Sequence, residues 1–161
     1  MTADTGIRDA VTGLYVREYF DDVITRELER SQRHGIALSV VSIVILNIGQ
    51  IAEGSEDDAF AVLVETAREL QRQVRETDHL FRWEDDEFLL LLFGADSTAC
   101  ALKVRQLDAL FRPWRDALGP VPASVRIRVG GATHQDDIVF ASVLQAARES
   151  ARPGPAGPQP A

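Results

Sequence analysis

The sequence predicts an α/β sandwich, with one mixed or antiparallel sheet covered by helices, and three observations carry that expectation. Apolar periodicity switches repeatedly between helical and strand spacing along the 161 residues. The run Ile36 to Ile48 is β-branched and apolar on both faces, as expected of a central buried strand. Two short apolar runs then flank the acidic turn Glu84-Asp85-Asp86-Glu87, which makes a β-hairpin. A doubly wound parallel sheet fits less well, because the hairpin interrupts the alternation and no glycine-rich phosphate loop follows the first strand.

Taken in order, Tyr15 to His34 places Val16, Phe20, Val23, Ile24 and Leu28 at helical spacing with charges between them, and Gly35 breaks the pattern. The buried strand comes next. After the loop Glu53-Gly54-Ser55-Glu56, residues Ala59 to Glu76 return to helical spacing through Val62, Leu63, Ala67, Leu70 and Val74. The hairpin strands are His79 to Trp83 and Phe88 to Phe93. Asp96 or Ser97 can N-cap a helix running to Leu110. Val125 to Ala132 alternates Arg126 and Arg128 with Val125, Ile127 and Val129, as a half-exposed strand does. Asp136 or Asp137 starts a final helix to Ser150. Residues 1–151 are thus expected to form a single domain, and the Pro/Gly-rich stretch Arg152 to Ala161 a disordered tail.

Composition limits the function classes. Apolar residues make up 45% and charged residues 26%, a soluble globular balance. The net charge of -8, with no Lys/Arg-rich face, argues against nucleic acid or anionic membranes as partners. The longest apolar runs, such as Val40 to Leu46, are too short to span a bilayer, so no direct membrane insertion is expected. No secretory segment is evident, and a single cysteine, Cys100, allows neither an intrachain disulfide nor a cysteine metal cluster, which points to the cytoplasm. Cys100 reads as a buried, inert helix residue, and Trp83 and Trp114 as packing residues. His34, His79 and His134 lack ligand spacing, so no metal site is expected there.

Two features remain as candidate sites. Four consecutive carboxylates at a hairpin tip repel one another, and they are either a solvated turn or a place that meets cations or polar ligands; the residues alone favour the turn. Arg75 and Asp78, at i and i+3, share one face of an expected helix end. By default they are an exposed pair contributing little to stability. Lys103 and Arg105 lie on the next expected helix.

Several fixed spacings agree together: Asp9-x-x-Thr12-Gly13-Leu14-Tyr15-x-Arg17-x-x-Phe20, the buried strand, Arg75-x-x-Asp78, Arg82 before the hairpin, Asp86-Glu87-Phe88, and Val129-Gly130-Gly131-Ala132. In this pattern the chain resembles the GGDEF domain, the diguanylate cyclase family that condenses two GTP into cyclic di-GMP. The resemblance implies a nucleotide-cyclase-like α/β fold, with a central, mainly antiparallel sheet flanked by helices and the signature at a hairpin. It also implies departures at the positions that touch substrate. The signature glycines are replaced by Glu84 and Asp85, and the two metal-binding aspartates of the buried strand by Val44 and Leu46, whose side chains offer Mg²⁺ no oxygen. The guanine-reading positions fall at Ala52 and Phe60. The phosphate-contacting lysine of the final helix is missing, since the tail follows soon after Arg148.

Asp86 and Glu87 then read as relics, and no diguanylate cyclase activity and no cofactor are expected. What survives is Arg75 and Asp78, spaced from the signature as in the family's product-inhibition site, where the resemblance implies an arginine fork and a carboxylate reading the two edges of a guanine base, with Lys103 or Arg105 as a further cation for the phosphates. The expected function is an inactive domain that binds cyclic di-GMP there and reports it to a partner protein or a second copy. The alternatives are a nucleotide-independent interaction scaffold and residual GTP binding or turnover through Asp86 and Glu87 with a backbone carbonyl.

Overall fold

The computed structural model describes residues 6–152. Its five-stranded sheet has the order β1-β3-β4-β2-β5 and is antiparallel except where β1 (Tyr15–Val16) runs parallel to β3 (His79–Glu84). The central strand β2 (Leu38–Ile45) is buried along its whole length, between β4 (Glu87–Phe93) and β5 (Ile127–Thr133). Its pleat explains the apolar residues on both faces. Val41, Ile43 and Ile45 enter one core with Val62 and Leu70 of α3 (Glu56–Arg72) and Leu107 and Phe111 of α4 (Ser97–Phe111). Leu38 and Val40 enter a second core with Phe20 and Val23 of α1 (Phe20–His34) and Phe140, Val143 and Ala147 of α5 (Phe140–Ala151).

Several expected boundaries move. The Tyr15–His34 segment is not one helix: Tyr15 and Val16 pair with Phe81 and Arg82, and a 3₁₀ turn at Arg17–Tyr19 leads into α1. Alternate aromatic and β-branched residues there satisfy a strand edge as well as a helix, and the sheet decides. Gly35 ends α1 in the left-handed region at φ 63°. A short helix α2 (Ile48–Gly54) follows β2 where a continued strand and a loop were expected, and α3 begins at Glu56, capped by Ser55 accepting from Asp58 N. The α3 helix stops at Arg72, so Arg75 and Asp78 lie in the turn beyond it and not on a helix face. Asp96 caps α4 as expected. The last helix starts at Phe140, after Val139, and takes no side-chain cap from Asp136 or Asp137. The expected tail lies outside the described residues from Pro153 onward, whereas Arg152 lies inside them.

The Gly130-Gly131 pair lets helices close on β5 from both sides. A Cβ at Gly130 would sit 2.5 Å from Ala151 N in α5, and one at Gly131 would sit 2.8 Å from Cys100 Sγ in α4. Gly130→Ala is therefore expected to lower stability by about 1–3 kcal/mol by lifting the end of α5. Chemical denaturation should show an earlier midpoint with an unchanged slope.

Candidate functional site at the signature hairpin and the Arg75 turn

The strands β3 and β4 are joined by a turn at Asp85 and Asp86, with an irregularity between Arg82 and Glu84. The pleat of β4 sends Leu89 and Leu91 toward α1 and α5, and Glu87 shares their face. Glu87 is 0% exposed, so the solvated-turn expectation fails for it. A buried carboxylate needs partners, and α5 and β2 supply them. Arg148 binds it side-on, Nε to Oε2 at 2.9 Å and Nη2 to Oε1 at 2.9 Å. Ser42 Oγ donates to Oε2 at 2.8 Å, and Arg152 Nη2 donates to Oε1 at 3.2 Å. Arg152 also spans both oxygens of Asp86, at 3.1 and 3.3 Å.

A carboxylate has about four lone-pair positions, and Glu87 receives four donors. Hydrogen bonds to Glu87 raise the pKa of Arg148 and those to Asp86 raise that of Arg152, each against an opposing effect of burial. Glu87 is thus the buried centre of an ion cluster with Arg148, Arg152 and Asp86, while Glu84 and Asp85 stay exposed.

The rest of the hairpin is tied down from the N-terminal side. Arg82 donates from Nε to Glu84 O at 3.1 Å and from Nη2 to Asp85 O at 2.9 Å, and its Nη1 lies 3.3 Å from Asp9 Oδ2. Asp9 in turn accepts from Thr12 N and Thr12 Oγ1 at 2.9 and 2.8 Å. Burial alone would raise the Asp9 pKa, but the Thr12 donors and Arg82 together hold it below the usual range. Arg17 pairs with Glu84 and lies 4.5 Å over the Trp83 ring.

Val44 pairs opposite Glu87 and is fully buried, while Leu46 is exposed just past the strand end. Phe60 is exposed on α3. None of these side chains brings oxygen to the hairpin. With Asp86 and Glu87 already bonded to arginines, the donor set does not fit Mg²⁺, which requires free hard oxygens in near-octahedral geometry.

The Arg75 turn has the opposite character. Asp78 N donates to Arg75 O at 3.0 Å and Arg75 N donates to Asp78 Oδ2 at 2.9 Å, so the two residues close one turn. The Asp78 side chain is 1% exposed and its Oδ1 has no hydrogen-bond partner, whereas the Arg75 side chain is 68% exposed, with Nε 3.8 Å from Asp78 Oδ2. Lys103 reaches across from α4 to donate to Gln73 O. Burial lowers its pKa, the Asp78 charge opposes that, and the Arg75 charge adds to it. The Arg75 guanidinium is therefore open to solvent, with the Lys103 and Asp78 charges beside it. Arg105 is not part of this group: two residues further along α4 it turns about 200° away and lines a groove beside Gly131 and Thr133.

His79 follows directly after Asp78. Burial lowers its pKa, against the attraction of Glu27, whose Oε1 lies 3.9 Å away. A depressed folded value makes the unfolded chain the better proton acceptor. Stability is then complete above about pH 6.5 and falls as the pH drops through the lower folded value. Thermal melts across this range should show the loss, and His79→Gln should flatten it.

Cation clamps that the sequence reading did not single out, Arg148 with Arg152, left one signal. They sit four apart in sequence, Arg148 in the last turn of α5 and Arg152 in the extended residue that follows it, in a chain whose hairpin needs positive charge.

Comparison with known proteins decides the family. A family model described as diguanylate cyclase, GGDEF domain, matches residues 7–152. The chain is a GGDEF domain. Among solved structures it is similar to the diguanylate cyclase SiaD of Pseudomonas aeruginosa in complex with its activator SiaC. That match has 28% identity and a TM-score of 0.77, covering 91% of this chain and 57% of that one. The chain therefore spans little more than half of SiaD. It is also similar to the GGDEF domain of DgcB from Caulobacter crescentus in complex with c-di-GMP, at 14% identity and TM-score 0.77, over 89% of this chain and 84% of that one. A microbial GGDEF domain described in a novel interaction mode with cyclic di-GMP matches at 17% identity and TM-score 0.76, over 92% of this chain and 90% of that one. The last two likenesses establish the fold. No curated protein matches the sequence. In the GGDEF domain described by residues 6–152, no helix is long and apolar enough to cross a membrane.

Proposed function

We propose that this GGDEF domain is a receptor for cyclic di-GMP and not a cyclase. The observation that carries the proposal is the occupation of Glu87 by four protein donors and of Asp86 by Arg152, with Val44 opposite. A cyclase would need these signature oxygens to hold the metal that stabilises the charge developing on phosphate. Here their charge is already neutralised, and Glu84 and Asp85 set further negative charge where the nucleotide phosphates would approach.

Cyclic di-GMP binding rests on the Arg75 turn. The exposed guanidinium can donate to the O6 and N7 edge of guanine, and the unpartnered Oδ1 of Asp78 can accept from the N-H edge once the turn relaxes. Lys103 supplies a cation for the phosphates. Complexes with c-di-GMP and with an activator protein are known for the similar domains of DgcB and SiaD, which supports a signalling role passed on through a partner protein or a second copy.

Incubation with GTP and Mg²⁺ or Mn²⁺, followed by chromatography, is expected to yield no cyclic di-GMP. Product that disappears in Glu87→Ala would overturn the assignment of inactivity.

A further inference from the structure

The sheet ends on an open strand. Backbone bonds from Leu46 N to Arg126 O at 2.7 Å and from His134 N to Leu38 O at 2.8 Å fix which residues of β5 bond β2. In an antiparallel ladder this alternates, so Arg128, Gly130 and Ala132 turn their N–H and C=O groups toward β2, and Ile127, Val129, Gly131 and Thr133 turn theirs outward. Among the described residues these outward groups have no backbone partner. An edge of this kind is a template for another strand.

A groove of about 450 Å³ runs beside this edge. Its floor is Gly131 to Thr133, with Cys100, Ala101 and Arg105 of α4 on one side and Ser150 of α5 on the other. The two glycines have drawn both helices close to the strand, so the groove is walled on both faces of the sheet. A second copy of this edge would bring its own walls into the same space, whereas a bare extended segment enters between them. The residues after Arg152 are poorly suited to be that strand. Pro153 and Pro155 fall on one side of an extended chain and Pro158 and Pro160 on the other, so either pairing side lacks two N–H donors.

Charge specifies the occupant. In a chain of net charge -8, Arg105, Arg126 and Arg128 are all exposed, and none forms an ion pair among the described residues. Asp136 and Asp137 lie at the other end, beyond Thr133. We infer that the outer edge of β5 accepts an extended acidic segment of a partner protein as a sixth strand, with carboxylates on its α5 face toward Arg126 and Arg128 and carboxylates on its α4 face toward Arg105. Main-chain bonds supply the affinity and the arginines the preference. This site is separate from the Arg75 turn and does not depend on cyclic di-GMP binding.

The test is amide hydrogen exchange read residue by residue by NMR, with three N-acetylated heptapeptides as probes: alternating valine and glutamate, alternating valine and lysine, and the acidic peptide with proline at alternate positions. The acidic peptide is expected to slow exchange at Val129, Gly131 and Thr133 about tenfold or more, with little effect from the other two. Val129→Pro removes one outward donor and leaves the bonds to β2 in place, so it should abolish the protection while circular dichroism stays unchanged. Thr133→Pro repeats the test should the first variant unfold. Equal protection by the lysine peptide, or no protection at these amides, overturns the proposal. So does concentration-dependent dimerisation that protects the same amides without any peptide, because the occupant would then be a second copy.

Discussion

Replacing Glu87 by alanine is expected to destabilise the domain by about 3–5 kcal/mol, far more than loss of any other carboxylate in the hairpin. The reason is the partners it leaves behind. Arg148 loses a side-on pair of bonds, Arg152 keeps only Asp86, and Ser42 Oγ is left as a buried donor facing nothing. The end of α5 packs on Gly130 and is pinned to the hairpin by these same arginines, so the loss extends to the second core. Glu84→Ala provides the comparison. Its pair with Arg17 is half exposed, and removal should change stability by about 1 kcal/mol or less. Urea denaturation of both variants measures the contrast. Equal, small effects would mean that the buried cluster contributes no more than a surface pair.

The second large effect concerns binding. Arg75→Ala is expected to weaken cyclic di-GMP binding about 100-fold or more, because two hydrogen bonds from a charged donor are lost and each is worth about 1.5–3 kcal/mol. The same substitution should leave stability within about 0.5 kcal/mol, since the side chain is exposed and its contact with Asp78 is long. That separation distinguishes a binding residue from a structural one. Asp78→Ala does not separate them, because Asp78 Oδ2 also closes the turn by accepting from Arg75 N.

The sheet and its helices were legible in the sequence because their signal is local. The continuous apolar run of β2, the hairpin and the Asp96 cap each follow from neighbouring residues, and all appear in the fold. Boundaries failed where a long-range partner decides. Tyr15 and Val16 read as helix until β3 pairs with them, and Ile48 reads as strand until α2 forms against α3. The solvated-turn reading holds for the exposed Glu84 and Asp85 and fails at Glu87, for the same reason. The pleat of β4 puts Glu87 on the buried face of Leu89 and Leu91, but the partners that let a carboxylate sit there lie 45 residues earlier at Ser42 and 61 residues later at Arg148. The Arg75–Asp78 pair was visible as a motif, yet its turn geometry, the convergence of Lys103 and the divergence of Arg105 required the three-dimensional packing of α4.

Calorimetric titration of cyclic di-GMP into the wild-type domain and the Arg75→Ala variant tests the receptor assignment most directly. Saturable heat with wild type and none with the variant is the predicted result. No heat with wild type, or equal heat with both proteins, would contradict it.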